Sequence, residues 1–203
     1  VAIILAVIAG AAIGAFQGSF VAFIGVPSFV VTLAGLLAWQ GVILKALGIT
    51  GVIGIQNNFI NDTANYYFSH TAGWIFATVV SVGYAAATLF GVIARRRHGI
   101  RSDNLVLVAL KILALSAIVF WVVWKSNGDA NRGLPFAAVL IAALLIIFTF
   151  IARRTTFGRH VYAVGGNAEA ARRAGINVPR IRVLVFMISG ATAGMGGIIF
   201  AAQ

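Results

Sequence analysis

The composition of this 203-residue chain is that of a membrane protein rather than a soluble domain. Hydrophobic residues make up 61% and charged residues only 9%, whereas about 25% of the residues in a soluble domain are charged. The net charge of +11 does not indicate nucleic-acid binding. The basic residues cluster between long apolar runs, as in the cytoplasmic loops of multi-pass proteins. The absence of cysteine excludes disulfides and thiolate metal sites.

Apolar runs alternate with polar connectors along the whole sequence, which predicts an all-α, polytopic transmembrane helical bundle. Because Val1 and Gln203 both lie inside apolar runs, we interpret the sequence as a fragment of a longer protein. The first run is short of the roughly 20 residues that a span needs, so the expected count is five or six spans. The predicted spans are 1–17, 29–48, 73–94, 105–124, 134–152 and 183–203.

Residues 17–27 connect the first two apolar runs without a single charge. A stretch this apolar can be re-entrant or a broken helix, which is tolerated at membrane depth only where it is buried in protein or lines a cavity. Val26, Pro27 and Ser28 would restart the chain, because proline near a first helical turn loses no hydrogen bond. We interpret this stretch either as a helix break near a solute path or as an ordinary turn at the interface.

Small residues recur at a helical spacing at both ends of the chain. Gly10 and Gly14 form a G-x-x-x-G pattern that Gly18 repeats, and Gly190 and Gly194 form a second one. This spacing lets the backbone of another helix approach closely within a membrane. The pattern therefore predicts close helix packing at these five glycines.

The distribution of basic residues predicts which connectors face the cytoplasm. Ile49–Ala72 contains no lysine or arginine and 125–133 is nearly balanced, so both are predicted outside. Arg95–Arg101 is strongly basic, and 153–182 holds seven arginines against Glu169 alone. Both of these segments are therefore predicted on the cytoplasmic side.

The connector from Thr155 to Pro179 is the longest polar segment, and its pattern predicts a short helix over Ala168–Ala174. Asn167 suits the N-cap, because its side-chain oxygen can accept a free backbone N–H of the first turn. Glu169 then lies at the positive end of the helix dipole. Gly175 suits the position just after the helix, where a left-handed conformation ends it.

Further residues of this connector support a short helix that ends near Gly175 and has glycines on both sides. Arg172 and Arg173 fall in the last turn, where cations are favourable, and Ile176 can supply the apolar contact of the cap. We expect Gly165 and Gly166 to act as a hinge before the helix. Pro179 is expected to prevent its continuation.

Several kinds of catalytic and ion-coupling chemistry have no counterpart in the sequence. There is no P-loop and no H-E-x-x-H motif, and the acidic residues fall in loops or at span ends, whereas ion-coupled carriers usually place such groups at membrane depth. We therefore favour a pore-forming subunit that is driven by a separate energy-supplying subunit. The alternatives are a stand-alone carrier or channel, a structural subunit and an enzyme. The acidic residues are Asp62, Asp103, Asp129 and Glu169.

Two stretches carry a resemblance to a known family. GRHVYAVGGNAEAARRAGINVPRIRV, residues 158–183, resembles the cytoplasmic coupling segment of the permease subunits of sugar-importing ABC transporters of the ribose/xylose/galactose type. VPSFVVTLAGLLAWQGV, Val26–Val42, resembles a pattern found earlier in the same permeases, and the xylose permeases are the most similar. Members of this family are longer than 203 residues.

The resemblance implies a function and a set of partners. The chain would be the membrane-spanning subunit of an ATP-driven importer of a monosaccharide, xylose or a related pentose, in the bacterial inner membrane. It would carry no cofactor or catalytic site, because ATP is bound by a partner ATP-binding subunit. A second permease chain and an extracytoplasmic sugar-binding protein, docking near Ile49–Ala72, would complete the complex in the membrane lipid, without nucleic acid.

The resemblance also implies which residues touch the ATP-binding subunit. They belong to the helix Ala168–Ala174 and its flanks, which we call the coupling set: Gly165, Gly166, Asn167, Glu169, Ala170, Ala171 and Gly175. The alternative is an interfacial helix whose arginines bind anionic lipid. Polar residues within the spans that could face a solute path, or could instead bond another helix, are Gln17, Thr32, Gln40, Thr88, Ser189 and Thr192.

Overall fold

The computed structural model describes residues 1–48, 66–97, 104–128 and 133–201. These ranges are helical apart from short links and an isolated antiparallel bridge between Tyr67 and Pro135, so the predicted all-α class is confirmed. The helices are α1 (Ala2–Ser19), which continues as a π-helical segment (Phe20–Ile24), α2 (Ser28–Leu47), α3 (His70–Arg97), α4 (Leu105–Ser126), α5 (Phe136–Arg154), α6 (Thr156–Gly166), α7 (Ala168–Arg173) and α8 (Val178–Ala201).

Six helical stretches of the described residues are long and apolar enough to cross a membrane, one for each predicted apolar run. The stretches are Ala2–Ile24, Ser28–Leu47, His70–Ala94, Leu105–Ser126, Phe136–Arg154 and Val178–Ala201. Each has at least the 19 residues of Phe136–Arg154, close to the roughly 20 needed to span the hydrocarbon core. The chain is therefore a multi-pass membrane protein.

The uncharged connector over residues 17–27 is helical over most of its length. α1 runs on through Gln17 to Ser19, and the π-helical segment carries the helix to Ile24. No charged or helix-breaking residue interrupts it before Gly25, which adopts a left-handed conformation (φ 82°). Pro27 is extended (ψ 133°) and precedes the first residue of α2. The break is therefore confined to Gly25–Pro27, and α2 restarts at Ser28 as predicted.

The chain divides into two compact units, residues 1–64 with 141–203 and residues 65–140. The first unit is organised around the packing of α1 on α8, with the two helices antiparallel. The glycines of the two G-x-x-x-G patterns meet there, so the close approach predicted from their spacing is confirmed. A Cβ added to any of these glycines would collide with the opposite helix. At Gly10 it would meet Gly190 and Gly194, at Gly14 it would meet Phe186 and Gly190, and at Gly18 it would meet Phe186 and Val183.

We call this contact the glycine seam. A Cβ on Gly190 would overlap the Gly10 carbonyl oxygen and would lie 3.0 Å from the Cα of Gly14. Backbone therefore lies directly on backbone, a geometry that membrane helices achieve with small residues. Because the helices are antiparallel, the π-helical segment at the end of α1 contacts α8 near its start.

The second unit, residues 65–140, pairs α3 with α4. Its core consists of Ala77, Val123 and Leu134, which are all buried. The backbone N–H of Phe68 donates to the Leu134 carbonyl oxygen at 2.9 Å, and that of Phe136 donates to Tyr66 at 3.0 Å. Because Leu134 is used in this pairing, α5 begins at Phe136 rather than at the predicted 134.

The glycine seam predicts opposite effects for two alanine substitutions in the same helix. Gly190→Ala should destabilise the purified protein by about 1–3 kcal/mol, because the new methyl group is forced into a packed backbone. Gly196→Ala has open space around it, and alanine favours helix over glycine by about 1 kcal/mol. Thermal unfolding in mild detergent should show a lower midpoint for the first variant alone. Equal midpoints would contradict the seam.

Candidate functional site

Thr155 separates the last turn of α5 from α6, and its side chain hydrogen-bonds to the backbone of both helices. Its hydroxyl donates to the Ile151 carbonyl oxygen at 2.6 Å and accepts the Gly158 backbone N–H at 3.1 Å. Its own backbone is extended (φ −103°, ψ 159°), so the chain changes direction at this residue. Thr155 therefore ends the membrane helix and begins the connector.

α6 lies close against the end of α5 because residue 158 is glycine. A Cβ at Gly158 would overlap the carbonyl oxygens of Ile151 and Ala152. Phe157, Val161 and the other residues on that side of α6 are half-buried or buried, whereas Tyr162 is exposed. α6 also contacts α7 and α8. It therefore supports the segment that follows.

The chain turns at Asn167, which ends α6 and caps α7. Its backbone is extended (φ −155°, ψ 102°), its N–H donates to the Ala163 carbonyl oxygen at 3.0 Å, and its side-chain oxygen accepts the Ala170 N–H at 2.9 Å. The cap removes one of the free N–H groups at the helix start. The predicted N-cap is confirmed.

The C-terminal end of α7 has the hydrogen bonds of a Schellman motif. The Ile176 N–H donates to the Ala171 carbonyl oxygen and the Gly175 N–H donates to the Arg172 carbonyl oxygen, each at 3.0 Å. Gly175 has φ 82°, a conformation that glycine adopts without the clash a Cβ would bring. The predicted glycine cap is confirmed, and α7 is a six-residue helix fixed at both ends.

The surface of α7 carries one acidic and two basic side chains, and all three are accessible. Glu169 lies 3.7 Å from Arg172 and 3.4 Å from Arg173, and its side chain is 60% exposed. Exposed pairs of this kind contribute only about 0.3–0.5 kcal/mol. A partner could therefore exchange them for its own charges at little cost.

Six residues of the coupling set are exposed, and one is not. Ala171 is only 4% exposed, so it offers almost no surface to a partner and belongs to the support of α7. Ala168, three residues earlier and therefore on the same side of the helix, is half-buried as well. The exposed members are Gly165, Gly166, Asn167, Glu169, Ala170 and Gly175.

Two sequence predictions about this connector are wrong. Gly165 and Gly166 are the last residues of α6 rather than a separate hinge, because the helix continues until Asn167 caps it. Pro179 does not end α7. It lies in the first turn of α8, where its missing N–H costs nothing.

The start of α8 depends on a residue that the sequence reasoning missed. The Asn177 side-chain oxygen accepts the Arg180 N–H at 3.0 Å. α8 therefore begins at Val178, five residues before the predicted span at 183. Asn177 precedes Val178 and Pro179 and so forms an N-cap followed by proline in the first turn, a pattern that identifies helix starts.

The first turns of α8 join the connector to the membrane. Val178 and Ile181 are buried, and α8 contacts α6, α7 and the π-helical segment. The break at Gly25–Pro27 therefore follows a segment that packs on the same end of α8 that carries the connector. The distribution of arginines predicts that this end faces the cytoplasm.

Some sequence predictions fall on residues that the structure does not describe. They include most of the predicted outer loop Ile49–Ala72, the end of Arg95–Arg101, and the acidic residues Asp62, Asp103 and Asp129. Among the described residues, no group of three or more potential metal ligands is present.

The described residues combine six apolar candidate spans with a short, exposed helix that is capped at both ends. The family described as branched-chain amino acid transport system / permease component matches residues 1–203, and the chain belongs to this family. The predicted resemblance to sugar ABC permeases is confirmed, and with it the bacterial inner membrane as the location.

Individual relatives are transport permeases for pentoses. The chain is 34% identical over 203 residues to the xylose transport system permease protein of Escherichia coli (strain K12), covering 99% of this chain and 50% of that protein. The xylose transport system permease protein of Haemophilus influenzae is 32% identical over 203 residues, covering 100% and 53%. The L-arabinose transport system permease protein of Escherichia coli (strain K12) is 47% identical over 77 residues, covering 37% and 24%.

The chain thus spans about half the length of the xylose permeases that it matches. No solved structure matches it.

The cap of α7 predicts different effects for two glycines that both have open space around them. Gly175→Ala should destabilise the cap by about 1–2 kcal/mol, because it forces a Cβ into a left-handed conformation. Gly166→Ala should not, since Gly166 is helical.

Hydrogen exchange of the amides from 167 to 176, followed by mass spectrometry, separates the two variants. Exchange should be about 5–30 times faster in Gly175→Ala than in the wild type and unchanged or slower in Gly166→Ala. If both variants behave alike, the left-handed cap does not hold α7 in place.

Proposed function

We propose that this chain is the membrane-spanning permease region of an ATP-driven importer of a monosaccharide, xylose or a related pentose. The observation that carries the proposal is α7, an exposed helix with a fixed cap at each end, lying between two membrane spans. Family membership and the pentose permeases among the relatives support the same function. The proposal is more specific than the family description, which names a permease component but no sugar.

The energy would come from a separate ATP-binding subunit, and the permease chain itself would hold no ATP, cofactor or catalytic site. The exposed members of the coupling set would form the docking surface for this subunit. Glu169 is the acidic residue of that surface, and its weak exposed pairs with Arg172 and Arg173 leave it free to bond a partner. A second copy of the permease and an extracytoplasmic sugar-binding protein would complete the importer.

The structure suggests a route by which docking would reach the membrane. α7 is short and fixed at both ends, so a partner that moves it would move it as a unit. It contacts α8, whose first turns hold the buried Val178 and Ile181. The glycine seam then ties α8 to α1, since backbone lies on backbone along the contact.

Motion of this α1–α8 pair would be absorbed at the break that follows. Gly25 is left-handed and has open space around it, and Pro27 is extended before α2 begins. A few loop residues of this kind are what hinge movements require. ATP binding would then bias the bundle between outward- and inward-facing states, provided that the partner contacts α7 differently in each state.

The docking surface predicts that charge reversal at Glu169 separates the subunits. Glu169→Arg should weaken the complex with the ATP-binding subunit at least about tenfold, because a reversed charge at an interface costs more than about 1.4 kcal/mol. Co-purification of the full-length protein from mild detergent measures this. Asp129→Arg makes the same kind of change in the connector predicted outside and should leave the complex intact.

Two other outcomes would contradict the proposal. If Glu169→Arg binds the ATP-binding subunit as the wild type does, α7 is not the docking surface. If the wild-type protein alone carries sugar into liposomes without any ATP-binding subunit, the chain belongs to a stand-alone carrier or channel.

A further inference from the structure

The side-chain amide of Gln17 lies on a membrane-spanning helix and has no hydrogen-bond partner in the part of the chain that the structure describes. Gln17 is seven residues before Ile24, the end of the first candidate span, and so lies about 10 Å inside that span at 1.5 Å per residue. Its side chain is half-buried and makes no hydrogen bond with any other described residue. A polar group at membrane depth without a partner is unfavourable, so the amide is expected to meet a polar group that the described residues do not supply.

Gly35 of α2 provides the space that the amide occupies. A Cβ built at Gly35 would overlap the Gln17 Nε2 and would lie 3.0 Å from its Cδ. The side chain therefore reaches from α1 across to α2 and lies against bare backbone. Any larger residue at position 35 would displace it.

This contact lies where the two helices begin to separate. In α2, only Val31, Gly35 and Leu47 are half-buried, and the remaining residues are exposed. Thr32 lies one turn from Gly35 and therefore on the same side of α2. Its hydroxyl donates to the Phe29 carbonyl oxygen at 3.1 Å and keeps its acceptor positions available. The Gln17 amide thus lies against α2 one helical turn away from the Thr32 hydroxyl.

The first span ends in an irregular turn close to Gln17. Residues Phe20–Ile24 are π-helical, and π-helical turns are frequent at functional sites. Gly25–Pro27 then links this span to α2.

We propose that Gln17 and Thr32 line the solute path and hydrogen-bond the hydroxyl groups of a polyhydroxylated solute. A primary amide has two N–H donors and a carbonyl acceptor, and a hydroxyl group both donates and accepts. The Gln17 amide and the Thr32 hydroxyl can therefore hydrogen-bond neighbouring hydroxyl groups of a sugar. This inference rests on the proposed function and adds to it the residues that contact the solute.

The test uses the full-length permease reconstituted in liposomes with its ATP-binding subunit and sugar-binding protein, with radiolabelled xylose as the probe. Gln17→Leu should lower the maximal rate of ATP-dependent uptake by about tenfold, the factor expected for the loss of one hydrogen bond in the path. Gln17→Asn should retain part of the rate. The midpoint of thermal unfolding should be unchanged in both variants.

Gln40→Leu is the matched control. The sequence also allowed Gln40 to face a solute path, but the structure places it at an exposed position of α2, beyond the Gln17–Gly35 contact. Loss of this amide should therefore alter uptake by less than twofold. A loss of uptake in Gln17→Leu together with normal uptake in Gln40→Leu supports the inference.

Three outcomes would overturn it. Wild-type uptake by Gln17→Leu would show that the amide does not contact the solute. A fall in thermal stability parallel to the fall in uptake would show that Gln17 bonds another helix instead. If the wild-type complex takes up no xylose under ATP, the proposed function is contradicted and the inference falls with it.

Discussion

The close approach of α1 and α8 is the constraint on which the first unit depends. Five glycines bring two membrane helices together so tightly that a methyl group on Gly190 would meet the backbone of Gly10 and Gly14. In a membrane, such packing replaces the hydrophobic effect that holds soluble helices together. Because the helices are antiparallel, the seam also determines which segments meet at the end of α1. There the start of α8 meets the end of α1, so the connector and the helix break are joined through one rigid contact.

The connector adds a second fixed element to this frame. Thr155, Asn167 and Gly175 use local hydrogen bonds and one left-handed glycine to turn the chain sharply three times within some twenty residues. None of these devices requires distant contacts, so α7 keeps its shape while its charged face stays exposed. In the proposed importer, a partner would therefore move α7 as a rigid body. The glycine seam would then transmit the displacement from α8 to α1.

Features that depend on interactions between nearby residues could be predicted from the sequence, whereas features that depend on distant contacts could not. The all-α class with six apolar helices, the N-cap at Asn167 and the glycine cap at Gly175 depend on neighbours within a few residues, and the structure confirms them. The glycine spacing predicted close packing but not which helices would meet, because that depends on contacts more than 170 residues apart between Gly14 and Gly190. The cap of α8 at Asn177 was missed although its local pattern was readable, because Pro179 was interpreted as the end of the preceding helix. The π-helical continuation of α1 was missed because an uncharged stretch is compatible with either a helix or a turn. The depth and neighbour of Gln17 could not be read from the sequence, because they follow from the path of α2.

The central claim is that α7 is a docking surface for an ATP-binding subunit, and cysteine labelling tests it most directly. The 203 residues contain no cysteine, so a single cysteine at the exposed Ala170 would report the accessibility of α7 to a membrane-impermeant maleimide. The account predicts fast labelling of the permease alone and strong protection when the ATP-binding subunit is added, with a cysteine at Lys125 labelled equally in both cases. Protection of Ala170→Cys by vesicles of anionic lipid, without any further effect of the ATP-binding subunit, would contradict it and identify α7 as a lipid-surface helix.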